Sequence, residues 1–233
     1  TIFNTATSSF EFNAGPVFSN IVLIDEVNRA PAKTQSALFE LMEERQVTID
    51  GATRKMARPF LVLATQNPVE HEGTYRLPEA QLDRFLFKIN IDYPSLEQEV
   101  AILQTASERG AIAEVDEVNP VVKEAELVEF QELIHRVIID PQLIRYIAVI
   151  VEKTRSHSSL YLGASPRASL WIMRASKAFA ALEGRDFVTP EDIREVLSPV
   201  LVHRIILSPE KEMEGVRPEA VIRQIVDSVE IPR

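Results

Sequence analysis

The 233 residues contain no cysteine, which excludes disulfides, thiolate zinc sites and a cysteine nucleophile and is compatible with a reducing compartment. Glycine is scarce. The seven are Gly15, Gly51, Gly73, Gly110, Gly163, Gly184 and Gly215, and the closest two stand 21 positions apart. Neither G-x-x-x-x-G-K-[ST] nor G-x-G-x-x-G can therefore occur, and a phosphate-cradling glycine loop is missing from these residues. Long apolar runs are missing too: the longest, Tyr146 to Val151, falls far short of the ~20 residues that span a bilayer. No apolar signal-peptide core follows the start, so membrane insertion and Sec-type export are not expected. The formal net charge of -10 and the pI near 5.0 argue against a broad electrostatic footprint for nucleic acid, leaving room for a local basic groove.

What is present is apolar material for two modest cores: 45% of residues are hydrophobic and 26% charged, so one or two globular domains are expected. The chain opens at Thr1 rather than Met and runs straight into a strand-like segment, which points to a natural N-terminus upstream.

The first part reads as α/β. Ile21-Val-Leu-Ile24 ends abruptly in Asp25-Glu26, and Phe60-Leu-Val-Leu-Ala64 ends as abruptly in Thr65-Gln66-Asn67-Pro68; both have the pattern of buried strands in a parallel sheet. Between them, Ala30 to Arg45 has helical spacing with Leu38, Leu41 and Met42 on one side, and Gln46 to Ala57 alternates around the hairpin dipeptide Asp50-Gly51. The alternation from Phe85 to Ile91 predicts a third strand. At Pro94 the pattern changes: Ser95 with Gln98 forms a capping box, and helices are expected near 95–108, 123–135, 141–156, 166–183, 190–202 and 218–228. Asp140-Pro141, Ser165-Pro166 and Thr189-Pro190 each pair an N-cap residue with proline at the first helical position. Gly110 to Val122 is an acidic connector. The expected division is 1–94 and 95–233.

Asp25 and Glu26 end an apolar strand at the carboxyl edge of the expected sheet, where open α/β folds bind ligands; one could hold a metal while the other faces a water. The alternative for a bare acidic pair is a solvated strand end. Asn67 ends the second apolar strand in a polar group at the same edge. Arg84, in Leu77-Pro-Glu-Ala-Gln-Leu-Asp-Arg-Phe85, is open to a plain surface pairing with Asp83. Arg167 falls in the first turn of a helix, where the dipole disfavours a cation, so it either helps to form an anion site or turns outward to a carboxylate. Lys33-Thr34 imitates the end of a glycine loop but fits a solvated helix start. His71, His135, His157 and His203 lack the i, i+4 spacing of a zinc site. Trp171 and Met173 have core positions in an apolar helix.

Gly15-Pro-Val-Phe18, Ile21 to Pro31 (IVLIDEVNRAP), Thr34-Gln-Ser-Ala-Leu38, Met42-Glu-Glu-Arg-Gln46, Ala64 to Pro68, Glu72 to Phe85 and Gly163-Ala-Ser-Pro-Arg167, taken together and in this order, closely resemble the MoxR family of AAA+ ATPases. The resemblance spans most of the chain. It implies an α/β, incomplete AAA+ P-loop NTPase core, a parallel sheet flanked by helices, followed by an all-helical lid. It implies that Asp25 holds Mg²⁺ as the metal-binding half of a Walker B pair and that Glu26 activates the attacking water. Asn67 would be sensor 1, Arg84 the arginine finger offered to a neighbouring subunit, and Arg167 the sensor 2 arginine that reaches ATP from the lid of its own subunit. The hairpin at Asp50-Gly51 resembles a pre-sensor insertion, and Ser8 to Phe12 the end of a helix-2 insertion.

The glycine loop of this family lies upstream of position 1, so the chain by itself is expected to be inactive. The resemblance further implies a cytoplasmic, chaperone-like ATPase that forms homo-oligomeric rings, hexamers among them, and remodels or activates protein clients, with von Willebrand factor A-type proteins as associates. Two other readings stay open at this point. A non-catalytic interaction module is one; a nucleic-acid motor of the same superfamily, using a small basic stripe at Arg54, Lys55 and Arg58, is the other.

Overall fold

A computed structural model of the chain describes residues 2–5, 8–49, 51–67, 77–109 and 118–232. Asp50, Pro68, His71, the 72–76 part of the motif that runs on to Phe85 (Arg76 included) and the connector residues 110–117 lie outside the described residues.

Two short strands, β1 (Ile2–Asn4) and β2 (Ser9–Glu11), pair antiparallel at the start. The two apolar runs then form the parallel pair expected of them: β3 (Ile21–Ile24) lies beside a later strand, Leu61–Ala64, in a register that sets Ile21 opposite Leu61 and Ile24 opposite Ala64. Between them come α1 (Ala32–Glu44) and the hairpin of β4 (Gln46–Ile49) and β5 (Ala52–Lys55), so Leu61–Ala64 is β6. Helix α1 stops because Arg45 turns into the left-handed region at φ 51°, its N–H still bonded to Leu41 O at 3.0 Å. Gly51, at φ 75°, supplies the hairpin turn, a conformation that costs glycine nothing.

One face of the parallel pair covers a small core of Val27, Phe39 and Leu77, with Phe85 packed edge-on to Phe39 at 6.5 Å between ring centres. The other face is not covered among the described residues: Ile21, Leu23, Leu61 and Leu63 are exposed. The expectation of buried strands therefore holds for one face only.

The third strand does not form. After α2 (Glu79–Leu82), Phe85 to Ile91 joins no sheet among the described residues. Its alternation has another cause, because Phe85 packs on the small core while Leu86 packs on the helical one. The backbone is met by the second half of the chain instead, where Lys88 N–H donates to Pro199 O at 2.9 Å.

Beyond Pro94 the helices fall within a residue or two of their expected places: α3 (Leu96–Arg109), α4 (Glu124–Arg136), α5 (Pro141–Ser156), α6 (Pro166–Leu182) and α7 (Pro190–Leu201). Pro218–Asp227 follows as α9, after a short α8 (Pro209–Met213). The caps explain the agreement. Ser95 N–H donates to Gln98 Oε1 (2.8 Å) while Gln98 N–H donates to Ser95 Oγ (3.3 Å), and Asp140 and Ser165 accept from the N–H groups of Gln142 and Arg167. The pattern did not announce α8 or the short antiparallel pair β7 (Leu160–Leu162) and β8 (Ile206–Leu207). Ile150, Val151, Ile172, Ile193, Leu197 and Ile225 centre the large core, and Trp171 and Met173 pack at its edge.

Candidate active site

The carboxyl edge of the parallel pair is built by one hydroxyl. Thr65, the first residue after β6, donates its Oγ1–H to Asp25 Oδ1 at 2.5 Å and accepts the Glu26 N–H at 2.9 Å. Main-chain bonds from Thr65 N–H to Ile24 O (2.9 Å) and from Val27 N–H to Thr65 O (3.1 Å) close the same edge. Glu26 sits in the left-handed region (φ 48°, ψ 50°), which for a residue with a side chain costs of order 1 kcal/mol and persists only where surroundings dictate it. The two carboxylates have different partners on either side of that turn, Thr65 for Asp25 and Arg29 for Glu26. Asp25 is exposed, whereas Glu26 is half-buried and paired with Arg29 Nη1 at 3.1 Å. Asn67 lies two residues beyond Thr65, exposed on the same edge. Sequence reasoning missed Thr65 and Arg29; the signal for Thr65 was its place as the first polar residue after the apolar run.

Asp25 fits a magnesium site of the kind that leaves most of the ion's waters in place, because one solvent-facing carboxylate with a fixed second oxygen is what such an ion takes from protein when phosphates supply other ligands. Among the described residues no group of three or more His, Asp or Glu side chains stands together as a closed metal cage.

Arg84 and Arg167 belong to a second group of contacts. Both pair with Glu43 near the end of α1: Arg84 through Nη1, and Arg167 through Nη2 at 2.7 Å. Arg167 also approaches Asp83 Oδ2 at 3.8 Å. The simple alternative of an Arg84–Asp83 pair is replaced by Arg84–Glu43, and Arg167 turns to carboxylates. Its helix start is held from below. Thr154 Oγ1 accepts the Ala164 N–H, Arg155 Nε donates to Ala164 O, both at 2.9 Å, and Ser165 Oγ donates to Asp83 Oδ2 at 2.9 Å. Gly163 is required here, since a Cβ would stand 2.6 Å from Arg155 Cα and Thr154 O.

Asp83 also accepts from Arg204 Nε at 2.8 Å; nothing in the sequence marked Arg204, and its neighbour His203 was weighed there only as a zinc ligand. Burial lowers the basicity of both. It pushes His203 down to about 4, helped by the Arg204 charge, and draws Arg204 below its ordinary value against the opposing pull of Asp83. The neutral His203 ring places Nε2 3.0 Å from Phe85 O and 2.7 Å from Arg204 Nη1, and can serve one of the two at a time.

The hairpin β4–β5 is tied to the residue after β2: the Arg54 guanidinium lies 3.6 Å over the Phe12 ring, which packs edge-on against Phe18. Arg54 is thereby engaged within the chain, and the basic stripe considered for nucleic acid is reduced to Lys55 and Arg58.

A parallel strand pair ending in a carboxylate pair, flanked by helices and joined through buried arginine contacts to a helical bundle, is the architecture of an AAA-type ATPase core with its lid. The family described as "ATPase family associated with various cellular activities (AAA)" matches residues 1–87, and "AAA lid domain" matches residues 152–225. Chaperone MoxR1 of Mycobacterium tuberculosis is 42% identical over 100% of this chain and 63% of its own length. Protein MoxR of Paracoccus denitrificans is 32% identical, over 92% and 68% respectively. A solved structure from Cytophaga hutchinsonii superposes with a TM-score of 0.90 at 44% identity, covering 100% of this chain and 72% of the other. The chain belongs to the MoxR family of AAA+ ATPases. It spans roughly two thirds of the length of these relatives.

Proposed function

We propose that these residues carry the hydrolytic half of a MoxR-type ATPase, with residues 1–94 as the C-terminal part of the core and 95–233 as its lid. The observation that supports this most is the Thr65 bridge, which ties the Asp25 carboxylate and the Glu26 backbone to one sheet edge. In this reading Asp25 serves Mg²⁺, Glu26 takes a proton from the attacking water, and Asn67 orients that water. Arg84 supplies positive charge to the nucleotide of a neighbouring subunit, and Arg167 does so from the lid. Bound Mg²⁺-ATP supplies the phosphoanhydride and the ion that neutralises its charge. The protein's own share is positioning and preorganised charge, which is how phosphoryl transfer is chiefly catalysed.

The glycine loop that holds the phosphates lies outside these residues in this proposal, and hydrolysis belongs to the full-length protein. Because Arg84 is to act between subunits, the working form is a homo-oligomeric ring, a hexamer by family precedent, located in the cytoplasm. Its work is the remodelling of protein clients, for which the chaperone naming of MoxR1 is the support. Von Willebrand factor A-type proteins are the clients to try first. No helix among the described residues is long and apolar enough to cross a membrane.

Glu26→Gln in the full-length protein tests the assignment. The amide is nearly isosteric and a far poorer base, so ATP binding should persist and turnover fall by about 10²-fold or more. Asp25→Asn should weaken Mg²⁺-dependent binding as well. Undiminished hydrolysis by Glu26→Gln would remove Glu26 as the base.

A further inference from the structure

Arg204 is the one buried lysine or arginine among the described residues, with a side chain only 1% exposed. Enclosing a guanidinium is costly unless its donors are used, and here most of them are spent on one short stretch of chain. Nε donates to Asp83 Oδ1 (2.8 Å), Nη2 to Asp83 O (2.9 Å) and Phe85 O (2.5 Å), and Nη1 to Leu86 O (3.2 Å) as well as to Val200 O near the end of α7, with His203 Nε2 2.7 Å from the same nitrogen. These acceptors flank Arg84 on both sides. Two of them, the Phe85 and Leu86 carbonyls, belong to the segment that forms no strand among the described residues, so Arg204 takes the place of a sheet neighbour for carbonyls that a ladder would otherwise satisfy.

Ser165, the N-cap of the helix that carries Arg167, grips the second oxygen of Asp83 at 2.9 Å, and Lys88 N–H reaches Pro199 O at the end of α7. Three lid positions thus hold the segment on which Arg84 is mounted, Ser165 through the Asp83 side chain and the other two through the backbone. We propose that Arg204 is a positioning residue for Arg84, transmitting the orientation of the lid to that arginine through Asp83 and the carbonyls of Phe85 and Leu86. The proposal rests on the reading of Arg84 as an arginine that acts on a neighbour's nucleotide. It makes lid movement and finger placement a single event: a lid that tilts carries residues 83–86 with it.

The test is Arg204→Lys in the full-length protein, alone and combined with Arg84→Ala, with melting temperature, ATP affinity and steady-state hydrolysis measured for each. A lysine keeps the charge but has neither the fork nor the reach to serve Asp83, Phe85 and Leu86 together. Turnover should fall about 10- to 100-fold with KM for ATP held within about threefold, since a small misplacement of a transition-state group costs rate rather than binding. The double variant should be no slower than Arg84→Ala alone. Mixing Arg204→Lys subunits with Glu26→Gln subunits should restore part of the activity, as Arg84→Ala subunits should, because intact Glu26 sites then meet intact Arg84 neighbours.

A merely structural Arg204 would lower stability without this rescue and would multiply with Arg84→Ala; either result overturns the proposal. If Arg204→Lys does not fold, Asp83→Asn, which keeps the acceptor oxygen and removes its charge, must show the same pattern or the proposal fails. An Arg84→Ala protein with full turnover removes the finger reading and this proposal together. A crippled Arg84→Ala beside an unimpaired Arg204→Lys removes this proposal alone.

Discussion

Arg167 donates to Glu43 at 2.7 Å although 124 positions separate the two in the chain. The same carboxylate holds Arg84, so one negative charge from the core is shared between the two cations that the proposed mechanism offers to phosphate. Neither contact is buried, with side chains about a third exposed, and pairs of that kind are worth under ~1 kcal/mol each. They are weak enough for a phosphate to displace.

Glu43→Gln should therefore raise the ATP affinity of the full-length protein by about 2- to 5-fold, because the arginines no longer leave a carboxylate when they meet the nucleotide. Calorimetric titration reads this directly. Equal or weaker binding would mean that Glu43 organises the arginines for the nucleotide instead of competing with it.

The 233-residue chain by itself should bind Mg²⁺-ATP no tighter than millimolar and should not hydrolyse it. The edge at Asp25 and the arginines at Glu43 cannot replace the several charge-assisted hydrogen bonds that a glycine loop and its lysine give to phosphates. Micromolar binding in calorimetry would show that the phosphates are held elsewhere than proposed.

Gly163→Ala should destabilise the lid by about 1–3 kcal/mol, the usual cost of forcing an extra methyl against atoms that cannot yield. The atoms in the way are backbone, Thr154 O and Arg155 Cα, each 2.6 Å from the added carbon. Thermal unfolding should show a lowered midpoint, and because Ala164 and Ser165 follow directly, Arg167 should lose its place as well. An unchanged midpoint would show that the last turn of α5 can move aside.

His203 should make the protein sensitive to mild acid. Its folded pKa of about 4 lies below the ordinary 6.5, so between these values the unfolded chain takes up a proton that the folded chain refuses. Stability from this group is intact above pH 6.5, is lost as pH falls toward 4, and amounts to about 3 kcal/mol when the loss is complete. His203→Gln should flatten that part of the stability profile in chemical denaturation between pH 4 and 7. A variant that follows the parent curve would place the acid sensitivity elsewhere.

The sequence by itself determined most of the helices and the two apolar strands. Proline after Asp140, Ser165 and Thr189 located three helices to the residue at their starts, because an N-cap followed by a locked φ needs no tertiary help. Apolar runs broken by Asp25-Glu26 and Thr65 placed two strands of a parallel sheet, while their pairing and register came from the structure. The family itself was legible in the ordered motif blocks.

Only the tertiary structure decided what the polar groups do to one another. Alternation at Phe85 to Ile91 reads as a strand, but a strand exists only where a neighbour offers its ladder; among the described residues none does, and the Phe85 and Leu86 carbonyls are met by Arg204. Thr65 and Glu43 carried no motif that named their partners, since Asp25 lies 40 residues from Thr65 and Arg167 lies 124 from Glu43. Side chains so far apart in sequence meet only when strands have paired or the two cores have packed, and hydrogen-bond geometry over such separations is fixed by that assembly and not by the local pattern of either segment.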